Sequence, residues 1–93
     1  MTIKVVLSKG AERDIRRIAD RVQLQRIIRA IEQLSDDPRS SGAKKLGGVS
    51  GIWRIRVGDW RVCYMLEQPD SVLLVLTVAR RGNVYERLRR RLG

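Results

Sequence analysis

The chain predicts a mixed α+β domain. Apolar residues recur at helical spacing between residues 11 and 34, alternate from residue 53 to 64, and run almost unbroken from 71 to 79. A short basic helical pattern follows at 84–92, so the elements read β-α-α-β-β-β-α.

Thr2 to Leu7 is a short β-rich run, and Ser8 is placed to cap a helix in which Ala11, Ile15, Ile18 and Val22 recur. A second helix follows closely with the stripe Leu24, Ile27, Ile28, Ile31 and Leu34. It is ended by Ser35-Asp36-Asp37-Pro38, while Arg26, Arg29 and Glu32 face outward. The two helices form a hairpin on a sheet. Residues 39 to 51 are rich in Gly and Ser, with Lys44-Lys45-Leu46 as a short strand before a long hairpin. Gln68-Pro69-Asp70 is a turn, and Ser71 to Ala79, apolar on both faces until Thr77, suits the most buried strand.

The hairpin GIWRIRVGDWRVCY, Gly51 to Tyr64, is the most informative stretch. With Gly58-Asp59 as a two-residue turn, Val57 pairs with Trp60, Ile55 with Val62, Trp53 with Tyr64, and Arg56 with Arg61. One face is core, with Trp53 and Tyr64 as a cross-strand aromatic pair. The other carries Arg54, Arg56 and Arg61, read as exposed, and Cys63 shares their parity as a partly exposed small filler. Like charges opposed across a strand pair cost roughly 0.2 to 1 kcal/mol. Folding alone does not build such a face, whereas an anionic partner explains it.

Composition points the same way, with 20 Lys and Arg against 10 Asp and Glu, a formal charge of +10 on 93 residues. Such a balance attracts polyanions, nucleic acid first. Residues 1–42 carry nine basic and six acidic side chains (+3) and residues 43–93 eleven and four (+7), so the second half holds the binding face. Sixteen of the twenty are Arg, whose planar fork suits phosphate and base stacking. One cysteine and no histidine leave no intrachain disulfide, Cys-His nucleophile pair or ordinary zinc site, so no metal or cofactor is expected. The length suits a single domain, 1–93, and the lack of a cleavage signal or an 18-residue apolar run predicts a cytoplasmic protein without a membrane partner.

The element order, the KKLGG motif, the IWRIRVGDWRVCY hairpin and the closing VARRGNVYER together resemble the RelE/ParE superfamily of toxin-antitoxin toxins, over nearly the whole chain. The resemblance implies a microbial RNase fold: a helical hairpin packed on a roughly four-stranded antiparallel sheet, encoded beside an inhibitory antitoxin. In the RelE branch it implies a toxin that enters the ribosomal A site and cuts mRNA with basic residues of the middle strands, an arginine after the last strand and a C-terminal tyrosine. Carried onto this sequence, these are Arg54, Arg56, Arg61, Arg81 and Tyr85. Lys44, Lys45, Arg80 and Arg87 are further RNA-binding candidates. The implied partners are an acidic RelB-like antitoxin in a hetero-oligomer, mRNA and the ribosome.

Such chemistry needs charge stabilisation on the phosphate, a proton acceptor for the 2′-hydroxyl and a donor for the leaving 5′-oxygen. RelE relatives often carry lysines in the first hairpin strand and a histidine before the post-strand arginine, where this chain has Arg54, Arg56 and Arg80. Arginine is a poor general base. The acceptor is left among a desolvated Arg56, Tyr85, Glu67, Glu86 or a ribosomal group. Two other classes stay open: a ParE-like inhibitor of DNA gyrase, and a non-catalytic RNA- or ribosome-binding protein. The terminal helix has a narrow stripe, Val84, Leu88 and Leu92, with Arg87, Arg89, Arg90 and Arg91 as a solvated face, which predicts marginal docking.

Overall fold

Ser8 turns a strand into a helix. Its Oγ accepts the Ala11 N–H at 3.1 Å, so strand β1 (Lys4–Leu7) gives way at once to helix α1 (Lys9–Arg16). Asp20 repeats the device for helix α2 (Arg21–Gln33), accepting from Val22 N at 2.9 Å and Gln23 N at 3.2 Å. This second cap corrects one expectation. Val22 belongs to the first turn of α2 and is 65% exposed, instead of extending the stripe of the first helix. Ile28 is likewise exposed.

The computed structural model describes residues 3–39, 42–46, 51–67 and 72–92; the turn expected at Gln68-Pro69-Asp70 lies outside them. Strands β2 (Lys44–Lys45), β3 (Ile52–Val57), β4 (Trp60–Glu67) and β5 (Val72–Arg80) join β1 in a sheet of order β1-β5-β4-β3-β2, and α3 (Val84–Leu92) follows β5. The α+β class holds. The sheet is five-stranded and mixed where about four antiparallel strands were expected, because two-residue β2 pairs with β3 and β1 runs parallel to β5 from Lys4 opposite Val72. The β3–β4 register is the expected one, with Trp53 opposite Tyr64 and Arg56 opposite Arg61.

Alternation gives the sheet two apolar faces. Ile55, Val57, Val62 and Tyr64 pack with Ala11, Ile27, Ile31 and Leu34 of the helical hairpin, whereas Ile52, Cys63, Leu76 and Ala79 lie with Val84 and Leu88 of α3. Cys63 is therefore buried, not partly exposed, because α3 covers it; burial pushes its thiol up to about 11. Tyr64 is enclosed too, its hydroxyl donating to the Pro38 carbonyl and its pKa pushed up to about 12 by burial.

A register shift in the β4–β5 ladder sets Tyr64 opposite Val75 but Cys63 opposite Thr77, so Leu76 is the extra residue. Just there β1 has ended, and the outer edge of β5 needs other partners. Ser8 Oγ donates to the Leu76 carbonyl at 3.3 Å, and Asp14 accepts the Val78 N–H at 2.9 Å. Asp14, 2% exposed, also takes Arg91 Nη1 at 2.6 Å, Arg91 Nη2 at 2.9 Å and Arg87 Nη1 at 3.2 Å. A carboxylate thus clasps α3, from the other face of the sheet, to α1. Arg91 reaches it across Gly10, where a Cβ would stand 2.7 Å from the guanidinium carbon.

The clasp corrects the reading of α3 as loosely docked with all its arginines solvated: Arg87 and Arg91 are anchors, while Arg90 pairs with Glu86 at 2.8 Å on the surface. Burial raises the Asp14 pKa, but the hydrogen bonds from Arg91 and Val78 N–H and the charges of Arg91 and Arg87 outweigh it and hold the carboxyl below its usual value. Asp14→Ala, which strands two partly buried cations, is expected to cost on the order of 3 kcal/mol in urea unfolding. A depressed folded-state pKa contributes stability that is complete above the unfolded value and lost as pH falls through the folded one. The parent should therefore lose stability on acidification below about pH 4, and Asp14→Asn should lose less over the same range.

Candidate nucleic-acid interface

The arginine face begins at the hairpin tip. Gly58 has φ +60°, the left-handed conformation a two-residue turn requires and a side chain resists, and the tight return sets Arg61 directly opposite Arg56. Arg61 differs from the expected exposed contact. It is 6% exposed, and its Nη1 donates to the Gly58 carbonyl at 3.0 Å and to its neighbour Trp60's carbonyl at 2.9 Å. Both Nη1 protons are used on the turn, which leaves Nη2 and Nε for an anion.

The end of β5 is tied to the same turn, since the Arg81 N–H donates to the Asp59 carbonyl at 2.9 Å. Two residues on, Asn83 opens α3 by accepting the Arg87 N–H at 3.1 Å, which places Tyr85, 43% exposed, in the first turn. The five residues carried over as catalytic candidates meet around Arg61. Its guanidinium is held below the usual arginine value, first by burial and then by repulsion from Arg56, Arg54 and Arg81, with the Tyr85 phenol acting in the opposite sense. Among the described residues no carboxylate pairs with any of the four arginines.

Beside them runs a groove of about 390 Å³ lined by Gly42, Lys44, Arg54, Arg56, Gly58 and Arg61. The other RNA-binding candidates divide. Lys44 stands opposite Arg54 and joins the groove, whereas Lys45 stands opposite Trp53, on the parity of the other face. Arg80 lies over the Trp60 ring at 5.1 Å, on the helical-hairpin side, and Arg87 is bound to Asp14.

Residues 5–85 match the family model described as the ParE toxin of type II toxin-antitoxin systems. The chain belongs to the RelE/ParE superfamily of toxins. It is 25% identical over 89 residues to the protein named RelE1 of Methanocaldococcus jannaschii, covering 92% of this chain and 98% of that one. Among solved structures, the archaeal RelE-RelB complex from Pyrococcus horikoshii matches at TM-score 0.73 and 26% identity, over 88% of this chain and 98% of that one. A free double mutant of Escherichia coli toxin RelE matches at TM-score 0.79 over the whole of both chains, with 18% identity that speaks for the fold alone. The family model thus bears the ParE name, and these similar proteins the RelE name.

Within this RelE/ParE toxin the candidate proton acceptors narrow. Glu67 ends β4 opposite Val72, at the far end of the strand from the turn, and Glu86 is paired with Arg90. Arg56 is exposed, so the desolvated arginine of the face is Arg61 instead. Asp14 escaped the sequence reading altogether, although a carboxylate standing among Ala11, Ile15 and Ile18 at core spacing is itself a signal of a buried ion pair.

Because the face concentrates like charge, trimming it should favour folding. Arg56→Gln, at an exposed position opposite Arg61, is expected to raise stability by about 0.2 to 1 kcal/mol. Thermal unfolding at low and high salt checks this, and the gain should shrink as salt screens the repulsion.

Proposed function

We propose that this toxin is a ribosome-dependent mRNA endonuclease, the toxin half of a type II pair whose acidic RelB-like antitoxin neutralises the arginine face. The observation that carries the reading is Arg61, a covered cation with three arginine neighbours and no carboxylate partner among the described residues. Folding gains nothing from that arrangement, whereas a phosphate dianion-like transition state would be stabilised by it. RelE-RelB complexes of known structure support the antitoxin partner.

The RNA 2′-hydroxyl gives its proton to an acceptor as its oxygen attacks the adjacent phosphorus, the bond to the 5′-oxygen breaks, and the leaving oxygen takes up a proton from water. Arg56 and the free Nη2 and Nε of Arg61 hold the scissile phosphate, and Arg54 holds a neighbouring one along the groove. Arg81, fixed by its backbone to the turn, stabilises the leaving oxygen. Tyr85 stacks on a base or orients the hydroxyl. Glu67 lies at the far end of its strand, Glu86 is paired, Arg56 is exposed and Tyr85 is assigned to the base or the hydroxyl. In this reading the acceptor is a ribosomal group, and cleavage depends on the ribosome for that reason.

The products expected are a 2′,3′-cyclic phosphate and a 5′-hydroxyl, read by mapping RNA ends shortly after induction; 5′-phosphate ends would sink the mechanism. Arg81→Ala keeps the backbone bond to Asp59 and should slow cleavage about a hundredfold or more with unchanged unfolding. The ParE name of the matched family model favours one second reading, inhibition of DNA gyrase. Gyrase-linked DNA breaks in induced cells, with mRNA ends unchanged, would select it.

A further inference from the structure

Arg80 and Arg81 are consecutive, yet they serve opposite sides of the sheet. Arg81 is fixed to the hairpin turn beside the groove, while Arg80 lies over Trp60 on the helical-hairpin side. Around Arg80 is a depression of about 220 Å³ at the edge of β5, where β1 has ended. Its lining comes from four elements: Arg17 from the end of α1, Trp60 from β4, Arg80 from β5, and Asn83 and Arg87 from the start of α3.

Three guanidinium groups around one hollow repel, and the single carboxylate there, Asp14, is already committed to Arg87, Arg91 and the Val78 N–H. Among the described residues Arg17 and Arg80 make no ion pair. As with the groove, the fold does not require this charge, and an anion would. Arg80 also lies over the Trp60 ring, 5.1 Å from its centroid, and guanidinium and aromatic groups are both surfaces on which a base can stack.

We propose that Arg17, Arg80 and Arg87, with Asn83 and Trp60, form a second RNA-phosphate site, so that RNA held in the arginine groove, or a strand of the ribosome beside it, is gripped on both sides of the hairpin tip. The site rests on the endonuclease reading for its choice of RNA over an acidic peptide. Continuity supports that choice, because Arg80 and Arg81 join the two surfaces across the end of one strand.

The test uses a single-stranded 2′-O-methyl RNA oligonucleotide, which has no hydroxyl to attack, so binding is measured apart from cleavage. Arg17→Gln/Arg80→Gln leaves the Asp14 clasp intact. Against the parent it should lose affinity at least tenfold in fluorescence anisotropy, and the slope of log affinity on log salt should fall by about 0.7 for each phosphate contact removed. Arg13→Gln/Arg29→Gln, with the same charge loss on exposed helix faces, should lose far less. An equal loss in the two double variants, an unchanged salt slope, or weakening toward an acidic antitoxin peptide alone would overturn the site. A parent that grips the oligonucleotide through this patch but leaves ribosomal mRNA uncut would overturn the endonuclease reading and leave the site standing.

Discussion

The fold turns on one buried carboxylate. Asp14 stands where β1 stops short of β5, and it answers three needs of that place: an unpaired backbone N–H on Val78, and the charges of Arg87 and Arg91. Any one of these left alone at a buried edge would be costly. Together they bind α1, β5 and α3 from both sides of the sheet. The position of Tyr85 follows, because α3 is only nine residues long and too short to be stable by itself.

The arginine face has the opposite energetics. Asp14 gathers opposite charge and hydrogen bonds, while Arg61 is desolvated among Arg54, Arg56 and Arg81 and, among the described residues, is anchored by two carbonyls of its own turn. The scaffold therefore offsets the repulsion within the arginine face, and the clasp at the outer edge of β5 lies away from the groove beside β2 and β3. Arg54, Arg56, Arg61 and Arg81 take no part in the clasp, so changes to that face can be read without much disturbance of Asp14 and its partners.

How much of this was legible in the sequence depended on distance along the chain. The hairpin could be read to the residue, since a two-residue turn and strict alternation leave one register. The parallel pairing of β1, the cover that α3 places over Cys63 and the bulge at Leu76 could not, because each is decided by elements far apart in sequence. The same holds for the site. Arg54, Arg56 and Arg61 were set on one face by periodicity, and Arg81 and Tyr85 were added by resemblance. That Arg61 would be covered, and that Arg87 would be claimed by Asp14, depended on packing that no local pattern carries.

The 77-residue separation between Asp14 and Arg91 has a kinetic meaning. A hairpin with a tight turn closes within about 1 to 10 μs, so the strand arginines can assemble early. β5 must then insert between β4 and β1, and α3 must fold over it, before the clasp can shut. Contacts of such long range slow the crossing of the folding barrier. The wall that α3 adds beside the cationic strands is therefore complete only once this long-range contact has formed.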